Sequence, residues 1–476
     1  MLLSLGLLAL SSLGSLWLFS PSYAEKNETK DLTALLHRPE GFARYIIIPH
    51  LPELYAQARQ NLIVEVLFKG KPLSQFFASP PPQLVSEVFR WLEILPMNLQ
   101  KSLLGRVFSG SLLYVSTEKG AVLLLEVTPA GRLLLEKAAG LPKAFLGPYA
   151  LIATSKELLD NQLQKLKGKP AKGLASLPVD KGELALVFDP DESMEKEERA
   201  LSWAFYRTIF PRSRVGPQTF VVSFKPEGIF VRSRAHMRWN RTELEKSQFL
   251  SSLISPRFAQ TQLSGGGVLL EFLADIPSLT SFMEDTALKK STGRQVALFL
   301  NGFLVDQGRI FPDLAFLIDR KETKLISFLK EAFLYREAKV VRKESGEYQI
   351  VYPFSEFADP SYMAFNPHFG EEKDYFLWAS TANAYGKGKE ILTKAGKTGP
   401  IKQREERILV IQGNLIPILQ SLIVALEKTQ PFYAPAALGD FRDSIRELTR
   451  SIRKMDIDGK LLLNEEYLDG HFQLQL

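Results

Sequence analysis

The sequence predicts an α+β protein built from two tandem copies of one domain, each an antiparallel-rich sheet with helices packed on one face. Three observations predict it. Short apolar strand-like runs alternate with amphipathic helical segments along most of the chain. Tyr149-Ala-Leu-Ile-Ala-Thr-Ser recurs without a gap as Tyr375-Phe-Leu-Trp-Ala-Ser-Thr. After nearly equal spacers, each copy is followed by a second matching strand, which opens at Leu184 in the first and at Ile408 in the second.

The other elements fall into the same order. Strand Tyr45-Ile-Ile-Ile runs into a helix with Pro52 in its first turn, as Val268-Leu-Leu-Glu-Phe runs into Pro277. Proline is tolerated there because the first helical N–H groups have no intrahelical partner. A Gly-Arg pair opens an apolar hairpin at Gly105-Arg106 and again at Gly293-Arg294, leading to Ala121-Val-Leu-Leu-Leu-Glu and Leu314-Ala-Phe-Leu-Ile-Asp. The tyrosine strands end on hydroxyl pairs, Thr154-Ser155 and Ser380-Thr381, suited to N-cap the Lys-bearing helix that follows. A last hairpin turns on Pro226-Glu227-Gly228 in one half and on Asp458-Gly459 in the other, where glycine supplies the backbone freedom of a tight turn.

The halves differ by insertions. Residues 321–366 hold an extra amphipathic helix (Leu325, Phe328, Leu329, Ala332, Phe333) and a Ser345-Gly346 hairpin, whereas the first half has a triple-proline loop at Pro80 and a helix from Gln83 to Leu95. Thr242-Glu-Leu-Glu245 reads as a capping box, and Ser264-Gly265-Gly266-Gly267 as a flexible break. The expected organisation is a signal peptide over 1–24, a flexible segment over 25–39, a first domain over 40–240, a linker over 241–265 and a second domain over 266–476. The leader is read from an uncharged apolar run, residues 2–19, followed by Pro21 and the small residues Ser22 and Ala24. Cleavage after Ala24 gives an exported protein of the periplasm or cell envelope; retention gives an N-terminal membrane anchor.

Composition excludes several classes. The 476 residues include no cysteine, which removes disulfides, thiolate nucleophiles and thiolate metal sites. With 59 Lys and Arg against 53 Asp and Glu, the net charge of +6 is mild for this length, so a nucleic-acid partner is not expected. The five histidines, His37, His50, His236, His368 and His471, show no metal-ligand spacing and read as surface or capping residues. Asp189 to Glu195 reads as a helix cap rather than a calcium loop.

Catalytic motifs fail on their own requirements. Ser327-Phe-Leu-Lys330 with Lys397-Thr-Gly399 lacks the Ser-x-Asn element that serine β-lactamase chemistry places between them. Gly396-Lys397-Thr398 ends like a phosphate-binding loop, but Ile391 stands where the first glycine is required. No catalytic residue, cofactor or metal is expected.

Two basic patterns remain as anion or lipid contacts. Arg442, Arg446 and Arg450 share one face of a helix whose other face carries Phe441, Ile445, Leu448 and Ile452. Asp443 and Glu447 interrupt the stripe, so two accounts stay open: a solvated, salt-bridged face, or a contact for anionic envelope lipid or polymer. Lys165 and Lys167 follow the helix after Tyr149, as Lys394 and Lys397 follow the helix after Tyr375.

The layout resembles a broad group of bacterial exported proteins built from tandem α+β domains and grouped only as domains of unknown function. The resemblance implies no site and no activity. The reading is therefore an exported, non-enzymatic protein that binds or scaffolds within the envelope, with an envelope protein, anionic lipid or polymer as partner and a peripheral membrane contact as one mode. A carrier for an apolar or lipid ligand and a hydrolase with an Asp/Glu-based site are the alternatives.

Overall fold

The computed structural model describes residues 42–67, 107–117, 120–137, 141–165, 177–188, 215–237, 258, 266–274, 294–306, 309–319, 339–351, 367–372, 374–395, 407–428, 436–463 and 467–476. The leader, the triple-proline loop with the helix from Gln83, Asp189 to Glu195, the capping box at Thr242, Pro277, and the helix carrying Ser327 and Lys330 lie outside these residues. The described chain is mixed α and β, with antiparallel strand pairing throughout, and forms two compact units, whose boundaries fall at the outer ends of the strands Val215–Lys225 and Gly228–Met237.

The first unit runs β1 (Phe42–Ile48), α1 (Leu51–Gln60), α2 (Leu62–Leu67), β2 (Phe108–Thr117), β3 (Gly120–Val127), α3 (Pro129–Lys137), β4 (Lys143–Leu146), β5 (Tyr149–Ala153), α4 (Lys156–Lys165), β6 (Glu183–Phe188), β7 (Val215–Lys225) and β8 (Gly228–Met237). Its pairing order is β7-β6-β1-β2-β3-β5-β4. Helix α1 starts where His50 Nδ1 accepts from the Glu53 N–H at 3.2 Å and where Pro52 fits the first turn. It ends at the buried Asn61. The Asn61 Oδ1 accepts from the Val64 N–H at the start of α2, and its Nδ2 donates to the Lys225 and Gly228 carbonyls, tying both helices to the turn between β7 and β8.

Successive residues of the central strands point to opposite faces, and both faces carry a helix. Leu112, Tyr114, Leu123, Leu125, Ala150 and Ile152 pack with Leu51, Leu54 and Tyr55 of α1. Leu113, Val115, Val122, Leu124, Leu151 and Ala153 pack with Leu158 and Leu159 of α4. The expected single helical face is therefore corrected. The unbroken apolar runs over 112–115, 121–125 and 150–153 fit strands with both sides covered.

The second unit runs β9 (Gly267–Ala274), β10 (Arg294–Asp306), β11 (Arg309–Asp319), β12 (Lys339–Arg342), β13 (Tyr348–Val351), β14 (His368–Glu372), β15 (Tyr375–Ala379), α5 (Ala382–Ala395), β16 (Arg407–Asn414), α6 (Ile416–Lys428), α7 (Ala436–Ser451), β17 (Asp456–Leu463) and β18 (Tyr467–Gln475). Its pairing order is β18-β17-β16-β9-β10-β11-β15-β14-β13-β12. From β17 to β14 this is the order of β7 to β4. The hairpin β12–β13, which turns near Ser345 and Gly346 as the sequence predicts, continues the sheet beyond β14.

The hydroxyl pairs repeat in detail. Thr154 Oγ1 accepts from the Ala121 N–H at 3.0 Å while Ser155 Oγ caps α4 through the Leu158 N–H at 3.2 Å. Ser380 Oγ accepts from the Leu314 N–H at 2.9 Å while Thr381 Oγ1 caps α5 through the Ala384 N–H at 3.0 Å.

Three readings of the second half change. Asp458 and Gly459 lie inside β17, not in a turn. A Cβ at Gly459 would meet the ring of Phe472, its cross-strand partner, at 2.2 Å, so the glycine makes room for an aromatic side chain. Phe258, inside the expected linker, is 1 % exposed and belongs to the second core; its N–H donates to Glu271 Oε2 and its carbonyl accepts from Gln412 Nε2. Gly266 and Gly267 are packed rather than free. Both have positive φ, and added side chains would meet Pro417 and the Phe299 ring.

Candidate functional site

Helix α7 is amphipathic as its spacing requires, with Ile445, Leu448 and Ile452 buried; the Phe441 side chain lies outside the described residues. On the opposite face, Arg446 is held twice: Nη2 donates to Glu427 Oε1 of α6 at 2.5 Å and Nη1 to Asp443 Oδ1 at 2.8 Å. The Glu427 hydrogen bond, ahead of the other charges, keeps its guanidinium even more firmly protonated than usual. Arg442 Nε donates to the same Asp443 oxygen at 3.2 Å, whereas Arg450 is exposed. The helix thus brings the stripe together and neutralises two of its three members.

Of the four lysines, Lys394 has a described side chain. Lys394 Nζ lies 2.7 Å from Glu390 Oε1, which follows from their spacing of one helical turn on α5. Lys165 ends α4, and its side chain lies outside the described residues, as do Lys167 and Lys397.

A denser polar group sits where β13, β14 and α5 meet in the second unit. His368, at the start of β14, has a side chain that is 0 % exposed, so the reading of it as a surface or capping residue is corrected; His50 does cap a helix. Its Nδ1 lies 3.0 Å from Glu347 Oε1 at the foot of β13. A carboxylate can only accept, so Nδ1 carries the proton and Nε2 is left as a buried acceptor with no hydrogen-bond partner. Burial, and then the ammonium of Lys343, push the His368 pKa down; the hydrogen bond and charge of Glu347 oppose them and lose.

Tyr385 of α5 lies beside this ring, with centroids 6.0 Å apart, and donates to Glu372 Oε1 at 3.0 Å. Lys389, one helical turn further along α5, reaches the same carboxylate oxygen at 3.0 Å. Burial first, then the Glu372 hydrogen bond and the charges of Glu372 and Glu347, push the Tyr385 phenol strongly up, so it is a fixed proton donor. Gly370 permits the arrangement, because a Cβ there would stand 2.4 Å from the Tyr385 oxygen. In the first unit, Leu159 stands ten residues after Tyr149, as Tyr385 stands after Tyr375, and belongs to an apolar core. Tyr385 and Lys389 are legible as one helix face, whereas nothing in His-Phe-Gly-Glu-Glu marks a buried imidazole.

Among the described residues, no three His, Asp or Glu side chains converge as a metal cage, and no helix is long and apolar enough to cross a membrane. No family model, curated protein or solved structure matches the chain.

Proposed function

We propose that this chain is an exported, non-enzymatic protein that binds or scaffolds within the cell envelope and is built from two copies of one α+β module. The repetition carries this reading: the same strand order and the same pair of hydroxyl ties recur at Thr154-Ser155 and Ser380-Thr381. A duplicated module presents similar surfaces twice, which suits a repeated or extended partner such as an envelope protein assembly, an anionic lipid surface or a polymer. The polar groups of the second unit support a structural use of its interior. Asp313 accepts from Thr381 and Asn301, while Glu372 is shared by Tyr385 and Lys389.

Two measurements test this. N-terminal sequencing of the full-length gene product from the envelope fraction is expected to begin at Glu25; an intact Met1 in the cytoplasmic fraction overturns export. Co-sedimentation with phosphatidylglycerol vesicles and with insoluble cell wall, alongside cross-linking in intact cells, separates lipid, polymer and protein partners. A chain that sediments with neither and forms no discrete adduct overturns the binding role.

A further inference from the structure

We infer that His368 is an acid-sensitive latch, which holds the β12–β13 hairpin on β14 while its imidazole is neutral and releases it when the ring takes a second proton.

The backbone pairing of the hairpin to β14 is short. The hairpin pairs with β14 only through Tyr348 opposite Phe369 and Gln349 opposite His368, with the Ile350 N–H bonded to the Pro367 carbonyl at 2.9 Å. Its apolar contribution is the buried Ile350, in a small cluster with Phe369 and Phe376, together with the partly buried Val340 and Tyr348, the latter stacked on Phe369 with centroids 5.1 Å apart. A segment with so small a share of the core opens locally at low cost. The Glu347–His368 hydrogen bond joins the foot of β13 to a side chain buried in the sheet, so its state weighs heavily on that equilibrium.

Protonation strengthens the Glu347 contact but leaves a second, buried N–H unpaired. In the neutral ring, Nδ1–H donates to Glu347 and the buried Nε2 is an unused acceptor, a modest cost. In the imidazolium, Nε2 becomes a charged donor with no acceptor in a site closed to water, which costs considerably more. The groups facing the ring are Glu347 and Lys343 from the hairpin, Tyr385 from α5, and the Glu372–Lys389 pair beside that tyrosine. Glu347 favours the imidazolium and Lys343 opposes it. Tyr385 donates to Glu372, and neither its oxygen nor any other acceptor among the described residues lies within hydrogen-bond reach of Nε2.

The linkage has a definite window. The closed imidazole titrates below the ordinary value of about 6.5, and the opened one near it. The closed form therefore binds fewer protons between those two values, and the opening constant rises by up to about tenfold per pH unit there. Above about 6.5 it is flat, and it levels again below the closed-state pKa.

Amide hydrogen exchange of the full-length protein tests this, with rates corrected against the unfolded chain at each pH. Peptides covering 339–351 are expected to lose protection by up to about tenfold per unit below pH 6.5, while peptides from α6 hold theirs. In His368→Gln, which keeps a donor toward Glu347 but does not titrate, the hairpin is expected to show no such slope. A native hairpin without the slope, or the same slope in the variant, overturns the latch. If that variant does not fold, histidine-selective NMR of the native protein decides. His50 and His368 should both stay neutral below the ordinary value, and His368 is the one of the two that titrates together with hairpin opening. Hairpin opening that tracks neither imidazole overturns it.

Discussion

Thr154 and Ser380 close equivalent strand ends with the same two-way tie: each hydroxyl accepts a backbone N–H from the neighbouring strand, at 3.0 Å from Ala121 and 2.9 Å from Leu314, and donates back to that residue's carbonyl. The backbone N–H of each also bonds to the same carbonyl. A β-strand must stop where its helix begins, and a hydroxyl at that corner satisfies the neighbouring strand's next amide without continuing the ladder.

Removing either hydroxyl should destabilise its own unit by a similar amount. Thr154→Val and Ser380→Ala each leave a partly buried amide without its acceptor, a loss of about 1–3 kcal/mol. Urea unfolding, followed by hydrogen exchange to localise the effect, is expected to show loosening around β3 and β5 in the first variant and around β11 and β15 in the second. An effect confined to one variant would mean that the two corners are not equivalent in energy.

Phe258 should behave as a core residue despite its place in a polar connecting segment. Its burial and its edge-to-face contact with Tyr375, centroids 5.4 Å apart, predict a cost of about 3–5 kcal/mol for Phe258→Ala. Chemical denaturation measures it, and a loss under 1 kcal/mol would show that the ring is not part of the second core.

Gly459→Val should destabilise the second unit although valine favours strands. The new side chain meets the Phe472 ring, and such overpacking costs about 1–3 kcal/mol. Adding Phe472→Ala to the same chain should relieve part of that cost, which a comparison of single and double variants by thermal unfolding reads directly.

Alkaline pH should weaken the fold through three phenols. Burial is the first cause that pushes Tyr55, Tyr149 and Tyr385 above the ordinary value near 10. The folded state then holds protons that the unfolded state releases, so stability falls as pH rises beyond about 10. Absorbance titration near 295 nm should show these three phenols among the tyrosines that ionise late, with Tyr385 only on unfolding. Tyr385→Phe should reduce the alkaline slope.

Freeing the arginines of α7 should strengthen binding to an anionic surface. Glu427→Gln with Asp443→Asn releases Arg442 and Arg446 from the carboxylates that hold them. At about 1 kcal/mol per basic group near an anionic surface, binding to phosphatidylglycerol vesicles at low salt should rise by up to roughly thirtyfold. Vesicle co-sedimentation measures it. Unchanged binding would mean that the helix does not reach the surface.

The sequence by itself determined the elements that local chemistry controls. Proline and the His50 cap start α1, the hydroxyl pairs start α4 and α5, and the alternation of Ile445, Leu448 and Ile452 with charged residues sets the buried side of α7. The repeated order of these elements was legible for the same reason, since each is written in a few adjacent residues. What only the tertiary structure decided are the contacts between segments far apart in the chain. Gly459 has the chemistry of a turn and serves as a hollow for Phe472; Phe258 looks like linker and is core. The continuous apolar strands of the first unit could not say how many of their sides a helix would cover. His368 shows the reason most clearly: a histidine's burial, tautomer and charge come from what surrounds it, and Glu347, Lys343 and Tyr385 reach it only when β13, β14 and α5 are folded together.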